Sequence, residues 1–89
     1  MTSEDIKVAV TRTAARLHAS AAHHRLTMSG DFRVSEKNAA YLLGYSAKYL
    51  KSLRHAGNGP RFYEIGVGGS RISYKFEDLA SWIEMAHKT

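Results

Sequence analysis

The chain has 89 residues, 44% of them hydrophobic, enough for one small core and a single domain with at most an added element. It contains no cysteine, which excludes disulfides, thiolate zinc sites and thiol nucleophiles and suits a reducing compartment. The formal charge is +5, and residues 46–75 carry six basic side chains against the one acid Glu64, so the whole net charge falls in that segment and favours a polyanionic partner.

Residues 3–25 are expected to form a helix, because Ile6, Val10, Ala14, Leu17 and Ala21 recur at steps of four, four, three and four in an alanine-rich run. Their stripe must be buried, either on the chain's own domain or against another subunit. Residues 26–33, with Ser29, Gly30 and Asp31, read as a connector. A pair of short helices follows. Ser35 is placed to cap the first, Ala39, Leu42 and Leu43 give it an apolar face, and Gly44 is suited to end it in the left-handed conformation. Ser46 restarts the chain as a second cap; Leu50 and Leu53 then face inward, while Lys48, Lys51 and Arg54 face outward. Two glycines, an asparagine and a proline within residues 56–60 stop that helix. The β-favouring runs 62–65 and 71–74, separated by the glycine-rich residues 66–70, predict a hairpin. A last helix is expected from Phe76 to about His87, with Leu79, Trp82 and Ile83 inward, Met85 or Ala86 beside them, and Trp82 as its main core residue.

Two helices joined by a tight turn, the second with an apolar back and a basic front, are what a major-groove recognition helix requires. Other chemistries find little support. His18, His23 and His24 lie close together, but His23 and His24 point to different helix faces and no carboxylate completes a set, so no metal site is expected. The loop containing Gly66, Gly68 and Gly69 precedes a strand and lacks the lysine of a phosphate-binding loop. No serine lies in a nucleophile context, and neither an enzyme activity nor a cofactor is expected. The aromatic residues are not arrayed on one strand pair with basic neighbours and read as core or rim instead of a single-strand stacking platform. No apolar run approaches the ~20 residues of a membrane span, and no basic flank leads into an apolar signal core; a soluble, cytoplasmic protein is expected.

Over roughly residues 32–83 the chain resembles the small winged helix-turn-helix proteins related to phage excisionases, AlpA-type regulators and the DNA-binding head of MerR regulators. The resemblance rests on Val34-Ser35 with Ala39-Ala40 and Leu42-Leu43-Gly44, on Ser46 with Leu50 and Leu53, on Gly59-Pro60-Arg61-Phe62, and on Asp78-Leu79 with Trp82-Ile83. It implies an α+β, mainly helical, MerR-like winged helix-turn-helix with a short β-hairpin wing and an added N-terminal helix. Residues 1–31 would be the helical extension and connector, and residues 32–89 the DNA-binding domain. On this resemblance Ser46, Ala47, Lys48, Tyr49, Lys51 and Ser52, with Arg54 from the basic face, belong to the recognition helix, and Gly68, Gly69, Ser70 and Arg71 to the wing.

The function so implied is that of an accessory protein on double-stranded DNA. In the excisionase reading it is a recombination directionality factor that binds repeated sites cooperatively, bends the DNA and helps an integrase excise a mobile element. Ile6, Val10, Ala14 and Leu17 would then contact a neighbouring protomer. An AlpA-type transcriptional regulator is the alternative within the same class. A module whose basic face meets an acidic protein is the alternative from another class.

Overall fold

The computed structural model describes residues 3–86. Among them the chain order is α1 (Ser3–His23), β1 (Arg33–Ser35), α2 (Glu36–Leu43), α3 (Ala47–His55), β2 (Ser73–Lys75) and α4 (Phe76–Ala86). The result is a small α+β domain in which helix predominates. The predicted end of the last helix at residue 87 lies outside the described residues.

Local chemistry accounts for the helix ends. Ser35 caps α2, its Oγ accepting from the Asn38 N–H at 3.1 Å, and Gly44 closes that helix at φ 79° with its own N–H directed to the carbonyls of Ala40 and Tyr41. Ser46 caps α3 in the same way, accepting from the Tyr49 N–H at 3.0 Å. Beyond His55 the chain turns through Ala56 and Gly57, the latter at φ 73°, which a side-chain-bearing residue adopts only with strain.

One core joins all of these elements. Leu17 and Ala21 from α1 are buried with Val34, Ala39, Ala40, Leu50, Tyr74, Phe76, Leu79 and Ala80, so the core crosses the expected boundary at residue 31. The helix α1 lies along α4, and Thr13 Oγ1 donates to Glu84 Oε2 at 2.8 Å between them. Of the four residues considered for self-association, Leu17 is inside this core, Val10 and Ala14 pack against it, and Ile6 is half-buried. At Val10, Ala14 and Leu17 that side of α1 is occupied by the chain's own residues. Trp82 departs from the expectation in the other direction. It is half-buried, its Nε1 donates to the Asn58 carbonyl at 3.3 Å, and the interior of α4 is supplied by Phe76, Leu79 and Ala80. Met85, 69% exposed, faces outward.

The sheet differs from the predicted hairpin. Residues 33–35, read as the connector's end and the start of the helix pair, form the strand β1 that pairs antiparallel with β2, matching Arg33 to Lys75, Val34 to Tyr74 and Ser35 to Ser73. The run 62–65 contributes a single bridge, Tyr63 with Ser73, on the other edge of β2. Side chains explain why it stops there. The Ile65 carbonyl is taken by Arg33 Nη1 at 3.0 Å and by the Ser73 hydroxyl, which turns the backbone away from ladder geometry. The loop then curls tightly: a Cβ on Gly66 would lie 1.4 Å from the Ser70 carbonyl oxygen, so only glycine fits. Val67 is buried at the foot of the curl, and Gly68 faces the Thr27 side chain, so the loop tip rests on the segment after α1.

Candidate nucleic-acid interface

The amphipathic design of α3 is realised in three dimensions. Leu50 is fully buried and Leu53 packs against the core, while Ala47, Lys48, Tyr49, Lys51 and Ser52 are all exposed, with the cap residue Ser46 exposed beside them. No acidic residue lies within α3. The outward side therefore presents two ammonium groups, a hydroxyl, an aromatic ring and a small methyl on one short helix.

Arg54 does not belong to this outward set. Its guanidinium turns back to α2 and grips Glu36 with two bonds, Nε to Oε2 at 2.6 Å and Nη2 to Oε1 at 3.2 Å, with both side chains only 14% exposed. The Tyr74 hydroxyl donates to the same Glu36 Oε2 at 2.7 Å, and the Arg54 guanidinium also lies 5.6 Å from the Phe62 ring centre. Burial pushes the Glu36 carboxyl up, but the hydrogen bonds from Arg54 and Tyr74 and the Arg54 charge more than reverse this, leaving it below its ordinary value. Burial and the bond to Glu36 push the Tyr74 hydroxyl upward, so it remains a donor. The helix period sets Arg54 at the edge of the basic face, four residues beyond the buried Leu50. What that period cannot supply is the partner, since Glu36 lies 18 residues earlier and no local spacing links the two.

The wing candidates divide similarly. Gly68 and Gly69 form an exposed turn with φ of 59° and 87°, and Arg71 is exposed where the loop returns toward β2. The Ser70 hydroxyl is engaged internally, donating to the Ile72 carbonyl at 2.8 Å and accepting from the Ile72 N–H at 3.3 Å. What the fold brings together is α3 and the return of the loop. Lys51, Arg54, Glu64, Arg71 and Ile72 line one open cleft of about 490 Å³. Three cations face one carboxylate there.

Two further cations meet at the Tyr63 ring. Arg61 and Lys75 lie 5.5 Å and 5.2 Å from the centre of the Tyr63 ring, and Lys75 also approaches Glu77 at 4.0 Å. Arg61 is exposed, whereas the Lys75 side chain is 30% exposed. Among the described residues no group of three or more His, Cys, Asp or Glu is gathered in a way that would hold a metal ion. No helix among them is long and apolar enough to cross a membrane. Comparison with protein-family models, with curated proteins and with solved structures found no match to this chain.

Proposed function

We propose that this chain is a sequence-specific double-stranded DNA-binding protein of winged helix-turn-helix type, with α3 entering the major groove and the loop 66–71 beside it on the backbone. The observation that carries the reading is the outward face of α3. A helix nine residues long buries Leu50 and exposes Lys48, Tyr49, Lys51 and Ser52, and its Lys51 shares a cleft with Arg71 of the loop. The N-terminal turn of such a helix is the part that meets base edges, and the cations around it supply phosphate contacts. Within this class the resemblance of residues 32–83 favours an excisionase-type accessory factor acting with an integrase in the cytoplasm of a bacterium. Cooperative binding to repeated sites belongs to that reading, and the contact between protomers that it needs lies elsewhere than Val10, Ala14 and Leu17, which pack within the chain itself.

The test is the salt dependence of binding to duplex DNA. With Arg54 committed to Glu36 and the Lys75 side chain 30% exposed beside Glu77, the exposed cations that α3 and the segment after it offer to phosphates are Lys48, Lys51, Arg61 and Arg71. If each neutralises one phosphate, log affinity falls against log salt with a slope of roughly −3.6, about a hundredfold between ~50 and ~200 mM. Lys48→Ala and Lys51→Ala each lower affinity and flatten the slope by about 0.9, while Lys7→Ala on α1 leaves both unchanged. Salt-independent binding, or an equal loss with Lys7→Ala, contradicts the proposal and favours a protein partner for the basic face.

A further inference from the structure

We infer that Tyr49 is the residue through which α3 selects thymine, and that Tyr45 and Trp82, which lie behind it, set the position from which it does so. The inference rests on the DNA-binding reading above and adds a base preference to it.

The first observation is an aromatic ring where solvent exposure is costly. Tyr49 stands in the first turn of α3, 51% exposed, one residue from Lys48 and two from Lys51. The second is that this ring is held. It meets Tyr45 edge to face, centres 5.0 Å apart and planes at 90°, and Tyr45 in turn meets Trp82 at 5.9 Å and 87°. Trp82 is itself anchored, its Nε1 donating to the carbonyl of Asn58 in the segment that leaves α3. One aromatic chain thus ties the entry of the recognition helix to α4 and to the helix exit. The edge-to-face contact with Tyr45 gives the Tyr49 ring a defined orientation from which to meet one base.

Chemistry then narrows what it reads. In the major groove the base edges differ by donor and acceptor pattern, and thymine alone adds an apolar group, its C5-methyl. A phenol ring has no paired donors with which to select guanine or adenine, but its apolar carbons match a methyl group. Placed at the third helical residue, Tyr49 is among the N-terminal residues that reach base edges in a helix of this kind. The Tyr45 ring is half-buried behind it and is a positioning residue only.

The experiment begins with enrichment of a preferred site from a randomised duplex library by the full chain, followed by replacement of each thymine in that site by uracil, which removes only the methyl. Wild type is expected to lose about fourfold in affinity at one thymine per bound protomer, the fold-change of one buried methyl-sized group. Tyr49→Phe should keep that discrimination, and Tyr49→Ala should bind the thymine and uracil duplexes equally. Tyr45→Leu should lower the thymine-to-uracil ratio while its circular dichroism and salt slope stay those of wild type, and Tyr45→Phe should restore it. Trp82→Phe, which removes the bond to Asn58, gives the same readout should Tyr45→Leu fold poorly. An enriched site bound equally well with uracil throughout overturns the inference and leaves the DNA-binding reading standing. So does a Tyr49→Ala variant whose thymine-to-uracil ratio stays that of wild type, because the methyl would then be read by another residue. A library from which nothing is enriched overturns both.

Discussion

Replacing Glu36 by alanine is expected to lower the stability of the domain by about 2–4 kcal/mol, toward the lower side of what breaking a buried charge pair costs. The removed carboxylate accepts two bonds from Arg54 and one from Tyr74, so the substitution leaves a guanidinium and a phenol hydroxyl without their acceptor in a site where both ion-pair partners are 14% exposed. Urea unfolding near neutral pH measures the loss, and a variant as stable as wild type would mean that the pair is effectively solvated. The pH dependence gives a second check. The folded-state value of Glu36 lies below its ordinary 4.5, so its contribution is fully present above that value and is lost as pH falls through the lower folded one. Asp78 acts with the opposite sign, since burial raises its value and its ionisation costs stability as pH rises. Subtracting the profile of Glu36→Gln from that of wild type removes Asp78 from the difference. The remaining curve should fall on acidification.

Leu17→Ala should cost about 2–4 kcal/mol, within the range for large-to-small changes in a packed core. For a domain of this size that is a large share of the total stability. Deleting residues 1–25 goes further, because it removes Leu17 and Ala21 from the core together with Val10 and Ala14 from its edge and uncovers the buried side of α4. The truncated chain is expected to give the circular dichroism of an unfolded protein. Val10→Glu, at a half-buried position of the same stripe, should lower the melting temperature of the isolated protein. A truncated chain that folds, binds one DNA site and loses only cooperativity would instead identify the stripe as an interface between protomers.

These expectations show which parts of the molecule were legible in the residues and which were not. Ser35, Gly44 and Ser46 act within four residues of themselves, so their capping roles can be read from order alone and appear in the structure as expected. The same holds for the buried Leu50 and the exposed Lys48 and Lys51, because helical periodicity determines the face. Features that depend on distant partners were not legible. The strand β1 is three residues long and exists because β2, some forty residues later, supplies its pairing edge. The commitment of Arg54 to Glu36 has the same origin, and so does the displacement of Trp82 from the interior by Phe76, Leu79 and Ala80. In the loop, the glycine content between two β-favouring runs predicted a hairpin turn. Gly68 and Gly69 do adopt positive φ, but Gly66 is required for space against Ser70.

The most direct measurement of where DNA would bind is an amide chemical-shift titration of the labelled full chain with a short duplex. Perturbations centred on residues 46–52, with a second group at residues 68–71, are the expected result, since the exposed face of α3 and the return of the loop lie together on one surface. Shifts confined to the outward side of α1, where Val8 is 54% exposed, with α3 unmoved, would contradict the assignment of α3 as the recognition helix.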